Sequence, residues 1–300
     1  MPWWKQALLN LYYQASRPYR YCWRRSLASR GRLPVVVLFY HRVADRELNE
    51  WTCPRAMFRR QMLWLKEHAR FVSLAEAQRR IRSGQNPQLC VSITFDDGYA
   101  DNCEFAIPLL KELDIPCTYF VSSGYVGKQT PFPHDAKVGQ KLEPNTAAQL
   151  REMVAAGIEI GAHTRTHADL GRITDPARMR DEIAGSRTEL ENLLGSRVRY
   201  FAFPYGLHAN MNQLAFRTAR EVGYEAACSA YGAYNFPGGD GFHIQRVHGD
   251  SEMARLRNWV SLDPRKLRTV PFIDDGRSET PPACASADPT LDGREAQASH

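Results

Sequence analysis

An α/β fold, in which a parallel sheet is wrapped by helices, is predicted by three observations. Short apolar runs alternate with stretches of helical period at least five times along the chain. Several of these runs are apolar throughout and rich in Val, Ile and Phe, the pattern of strands covered on both faces. One of them, VSITF, ends directly in two carboxylates, Asp96 and Asp97, followed by a glycine. Charge at the carboxyl end of a buried strand is where α/β proteins assemble their sites. The sheet is either open or closed as a barrel.

VVVLFYHRV (35–43) is the first strand. Pro54 suits the first turn of a helix through MFRRQMLWLKEHA, because its missing N–H would be unpaired there. Met57, Met62 and Leu65 recur at helical spacing, which makes the methionines core residues and not ligands. LAEAQRRIRSG (74–84) is a second amphipathic helix that stops at Gly84. The strand at 90–95 follows, then a helix through FAIPLLKEL that Asp101 could cap and Pro108 would kink. CTYFVS (117–122) is the next strand. Residues 123–145, rich in Gly, Pro and Lys, are long for a connection and suggest a functional cover. TAAQLREMVAAG forms a helix, IEIGAH a short strand, and DPARMRDEIAGSRTELENLLG a helix capped by Asp175 with Pro176 in its first turn. RYFAF, a helix from Asn210 to Glu221, YEAACS and a last strand in FHIQRVHGD (242–250) complete the pattern.

Three hundred residues, 43% hydrophobic, suit one domain of about 240 residues with tails. Boundaries are expected at a basic aromatic segment 1–33, a central folded domain 34–273 and a disordered acidic tail 274–300. Residues 1–33 carry seven basic and no acidic residues, and 274–300 six acidic and two basic, so the domain itself carries only about +3. So mild an excess argues against nucleic-acid binding. Seven scattered cysteines, without a CxxC pair, argue against a disulfide framework and for a reducing compartment. The N-terminus has neither a signal-peptide core nor 18 consecutive apolar residues. It does interleave aromatic and basic residues, which suits either a membrane interface or a helix packed on the domain. The expected location is therefore cytoplasmic, with peripheral contact at the inner membrane face through residues 1–30.

GAHTRTH places His163 and His167 four residues apart after a strand. On a helical turn that spacing puts both imidazoles on one face, where they can converge on a metal ion. A third ligand would come from Asp96 or Asp97. Adjacent side chains of an extended segment point in opposite directions, so one carboxylate can ligate while its neighbour accepts a proton. RYFAFPYG ends another buried strand at Pro204, Tyr205 and Gly206, a turn that would aim the Tyr205 N–H at an oxyanion.

TFDDG (94–98), HTRTH (163–167) and FAFPYG (201–206), in this order and spacing, resemble the first three motifs of the metal-dependent polysaccharide deacetylases. The resemblance covers roughly residues 34–262. It implies an irregular (β/α) barrel with fewer than eight strands and an acetylated sugar as substrate. It also implies a metal triad of Asp97, His163 and His167, with zinc as the usual ion, Asp96 as general base and Tyr205 as oxyanion donor, with Pro204 beside the substrate. Many relatives carry an arginine where this chain has Ala202, and Arg246 on the last strand is the candidate substitute. The general acid has no clean match: His248 is the candidate, with His243 nearby. His41, in YHRV, is placed at the pocket as a substrate-binding residue. The function expected is hydrolysis of sugar acetyl groups, most often N-acetyl. The alternative is a catalytically idle carbohydrate-binding relative, motivated by Ala202 and the unmatched acid.

Overall fold

A computed structural model describes residues 3–128, 130–232, 234–249, 252–267 and 273. The expected acidic tail at 274–300 lies outside them. Eight strands carry the architecture: β1 (Val35–Tyr40), β2 (Cys90–Phe95), β3 (Cys117–Val121), β4 (Glu159–Ala162), β5 (Tyr200–Ala202), β6 (Ala226–Cys228), β7 (His243–Ile244) and β8 (Val247–His248). Neighbours from β1 to β7 pair in parallel in chain order. β8 returns to pair in parallel with Leu38 and Phe39 of β1. Residues 243–248 therefore touch the sheet's last strand at one end and its first at the other. This makes the nearly closed, irregular (β/α) barrel expected from the resemblance, with fewer than eight staves because β7 and β8 are two halves of one segment. The last predicted strand is thus two short ones, broken at Gln245 and Arg246 where the chain changes partners.

Side-chain alternation sorts the barrel. Val36 and Leu38 of β1, with Val91 and Ile93 of β2, join the outer core under the helices. Val35, Val37, Cys90, Phe120, Tyr200, Ala202, Cys228 and Ile244 pack together in a second cluster. Leu74, Ala77 and Ile81 of α3 (Leu74–Arg82) join that inner cluster. They pack against the first residues of β1 and β2, so α3 stoppers the amino-terminal mouth and leaves the carboxyl-terminal mouth for chemistry.

The helices follow the sequence closely. α1 (Trp3–Ser29) precedes the barrel, and α2 (Arg55–His68) has Pro54 at its N-cap and buries Met62 and Leu65. α4 (Ala106–Glu112) is not capped by Asp101, which is drawn into an ion pair with Arg42. Pro108 sits in its first turn, where no N–H is missed, so it produces no kink. A short α5 (Pro133–Lys137) interrupts the long 123–145 connection. α6 (Ala147–Ala155) starts with a capping box from Thr146 and Gln149. α7 (Pro176–Arg180), capped by Asp175, runs through a π-turn at Asp181–Gly185 into α8 (Ser186–Leu194). α9 (Gln213–Val222) is capped by Asn212, and α10 (Met253–Val260) packs against α1.

Candidate metal centre

The strand ends after β1, β2, β4, β5 and β8 carry His41, Asp96 and Asp97, His163, Tyr205 and His248. The Asp96 N–H donates to the Tyr40 carbonyl at 2.8 Å, so the β1–β2 ladder reaches the first carboxylate. The chain then turns at Asp97, whose φ of +71° is unusual for a residue with a side chain. That turn, not simple strand alternation, sends the two carboxylates to different partners.

Asp97 Oδ1 lies 3.3 Å from His163 Nε2 and 3.1 Å from His167 Nε2. One ligand atom from each of the three residues falls within 4.8 Å of the others. All three side chains are more than nine-tenths buried. His163 Nδ1 donates to the Ala202 carbonyl at 2.8 Å. A carbonyl can only accept, so the proton is on Nδ1 and the Nε2 lone pair faces the Asp97 carboxylate. Asp97 Oδ1 is buried without an aligned hydrogen-bond donor. Lone pairs facing one another in a dry site need a cation between them, and the donor set of two imidazoles and one carboxylate fits a divalent ion with open positions.

The histidine pair does not sit on a helical turn as the spacing suggested. Thr164 and His167 both have left-handed backbones, φ +60° and +58°, so HTRTH is a looped segment. Glu182 holds it: its carboxylate accepts from the Arg165 N–H (3.1 Å), the Thr166 N–H (2.9 Å) and the Thr166 hydroxyl. Glu182 is buried in the π-turn between α7 and α8. Sequence reasoning missed it, because neither its burial nor the π-turn that places it is visible in the sequence.

Asp96 faces Arg246. Two parallel bonds of 2.7 and 2.8 Å join the guanidinium to both carboxylate oxygens. Arg246 also donates to the Ser229 carbonyl (2.9 Å) and Thr94 Oγ1 (3.1 Å), and stacks near Phe39 and Phe120. Burial works to raise the Asp96 carboxyl, but Arg246 foremost, then His163, keeps it below its ordinary value. The cation missing at Ala202 is thus supplied from the break between β7 and β8.

His41 and His248 lie with ring centroids 5.9 Å apart, bounded by Trp51 and Phe39. Burial, then neighbouring His41, pushes the His248 imidazole down to about 3. Burial lowers His41 too, against the pull of Asp97 and Asp96, and its Nδ1 is buried without a partner. His243 is elsewhere: it bonds Ser229 Oγ at 2.9 Å and packs between Phe216 and Tyr231, and burial pulls it to about 4.

After Pro204 the chain turns at Tyr205, φ +59°, and Gly206, φ +59°. The Tyr205 ring is half exposed and meets His167 edge-on at 5.1 Å. The long connection also reaches the centre. His134 lies 5.3 Å from the His167 ring, and its Nε2 bonds the Tyr99 hydroxyl at 2.8 Å, which in turn donates to Asp135 at 2.8 Å. The expectation of a functional cover on 123–145 gains a named side chain.

Comparison with known proteins agrees with this geometry. The polysaccharide deacetylase family model matches residues 83–227, which hold TFDDG, HTRTH and FAFPYG but stop before Arg246. YxkH of Bacillus subtilis, which carries a polysaccharide deacetylase name, is 29% identical over 197 residues, 65% of this chain and 63% of its own length. The chain thus spans less than two thirds of that relative. A poly-β-1,6-N-acetyl-D-glucosamine N-deacetylase of Staphylococcus aureus is 25% identical over 236 residues, 71% of this chain and 78% of its own. The solved structure of IcaB from Ammonifex degensii superposes with a TM-score of 0.66 at 27% identity, covering 76% of this chain and 97% of that one. The barrel, the motifs at its strand ends and these relatives point the same way: residues 83–227 match the polysaccharide deacetylase family model, and the chain around them is similar to proteins that carry that family's name.

Proposed function

We propose that the protein is a metal-dependent hydrolase that removes N-acetyl groups from a glycan of N-acetylglucosamine type. The observation that carries this is the buried, donor-less Asp97 Oδ1 between two imidazoles, next to an ionised Asp96. A binding module has no need of a base beside a cation site. The name of the staphylococcal relative supports the sugar. The Arg246 pair answers one of the two motives for an idle relative, the arginine absent at Ala202, since Asp96 has an orienting cation.

A divalent ion held by Asp97, His163 and His167 would polarise the acetyl carbonyl and make water more acidic. Asp96, ionised at neutral pH, accepts the proton of the attacking water. The Tyr205 N–H donates to the oxyanion that forms at the former carbonyl oxygen. The amine then needs a proton to leave. His41, whose buried Nδ1 has no partner, relays to it the proton that Asp96 took from water, while burial pushes both imidazoles down, His248 to about 3, and His248 shapes the pocket.

Purified protein should release acetate from N-acetylglucosamine oligomers when metal-loaded, and chelation should stop it. Replacing His163 and His167 together by Ala should abolish metal retention with little loss of fold. Asp96→Asn should keep metal and lose roughly a hundredfold to ten-thousandfold in rate. Absence of acetate from the loaded wild type, or stoichiometric metal in the double variant, would overturn the reading.

A further inference from the structure

α1 has two faces, and the described structure covers only one. On the inner face Arg20 is 2% exposed. Its guanidinium is held by Ser16 Oγ (2.7 Å), the Asn258 carbonyl (2.7 Å), Asn258 Oδ1 (2.7 Å) and Ser261 Oγ (2.9 Å). Tyr12 donates to Asp263 at 2.8 Å and Gln6 to Glu252 at 2.8 Å. These bonds, spread along the helix, fix its rotation about its own axis. The fixed rotation leaves Trp4, Leu8, Leu11, Ala15, Pro18 and Cys22 exposed, at alternating steps of four and three residues. Such spacing makes one continuous stripe. Leu8 and Leu11 are 57% and 66% exposed, and Trp3, Tyr19 and Tyr21 are exposed as well.

The charges say what could cover the stripe. Lys5, Arg17 and Arg25 are exposed on the same helix, and no Asp or Glu occurs from residue 1 to 44. A second copy would bring cations against cations with no carboxylate between them, which costs affinity. No described helix is long and apolar enough to cross a membrane. We propose that α1 docks the protein on an anionic lipid surface, lying in the interface with the stripe toward the acyl chains and the cations among the headgroups. The apolar spine gives depth, the flanking rings suit the headgroup level, and the buried Arg20 clamp couples the bound helix rigidly to the barrel. This inference does not depend on what the metal centre hydrolyses.

Cosedimentation of the full chain with vesicles tests it. The wild type should bind vesicles of phosphatidylcholine with phosphatidylglycerol, and bind at least about tenfold more weakly to phosphatidylcholine alone or at high salt. The triple change Trp4→Glu, Leu8→Glu, Leu11→Glu should reduce binding by about tenfold or more with an unchanged melting temperature, since these side chains face outward. Lys5→Ala, Arg17→Ala, Arg25→Ala together should remove the preference for anionic lipid while preserving the fold. Three results would overturn the proposal: no binding of the wild type to anionic vesicles, full binding by the glutamate variant, or a solution dimer that the glutamate variant dissociates. The last would assign the stripe to a second copy of the chain.

Discussion

For the proposed role of Asp96 as a base, its buried carboxyl must stay ionised, and that condition is set by one guanidinium. Arg246 lowers the folded-state value of the Asp96 carboxyl. The pair therefore contributes stability above the ordinary carboxylate range and loses it as pH falls through the depressed folded value. Arg246→Ala leaves the carboxylate buried and unpaired. Its affinity for a proton rises, so the acid limb of kcat/KM should move to higher pH, and denaturant unfolding should show a loss of about 3–5 kcal/mol. Arg246→Lys should not restore the profile, because an ammonium cannot make the bidentate contact. A second test at this scale separates the paired imidazoles. His41→Gln should depress kcat strongly, because the proton relay to the leaving amine is cut. His248→Gln should cost far less, since burial holds His248 near 3 and it carries no proton at neutral pH. Equal losses in the two variants would place the proton donor elsewhere.

At the scale of elements, the local signals were legible because each lies within a few residues of a strand end. TFDDG, HTRTH and FAFPYG each declare a buried strand and then a turn, and the structure sets all three around one point. What the sequence hid is what spacing cannot express. His163 and His167 meet through two left-handed residues and not through a helical turn, so the four-residue interval led to the right pair by a different geometry. Glu182, fifteen residues beyond His167, holds that shape, and nothing in HTRTH names it. Glu182→Gln exchanges an oxygen acceptor for an amide that cannot accept from all three donors. Metal affinity should fall by about ten to a hundredfold, measured by competition with a chelator, while the unfolding midpoint changes far less. An equal loss of stability and affinity would show that Glu182 serves the fold and not the loop. Asp101 failed as a cap for an analogous reason: a charge partner distant in sequence, Arg42, outcompeted the nearby backbone.

For the whole molecule, the alternation of strand and helix was enough to predict a parallel sheet, and the family resemblance supplied its closure as a barrel. The route of closure was not legible, since a six-residue segment with one run of predicted strand turned out to serve two edges. Nor was the attachment of α1, whose basic and aromatic residues fit both an interface and a packed helix; Arg20, Tyr12 and Gln6 look inward and the remainder outward. Deleting residues 3–29 should therefore destabilise the barrel by about 2–4 kcal/mol in denaturant titrations, because Asn258, Ser261 and Asp263 lose their partners and α10 its cover. Residues 243–248 carry a further consequence. The segment that completes the barrel is also the one that delivers Arg246, whereas Asp97, His163 and His167 are all in place earlier along the chain. The guanidinium that pairs with Asp96 arrives only with the last stave, so the charge balance of that buried carboxylate and the closing of the sheet are completed by the same six residues.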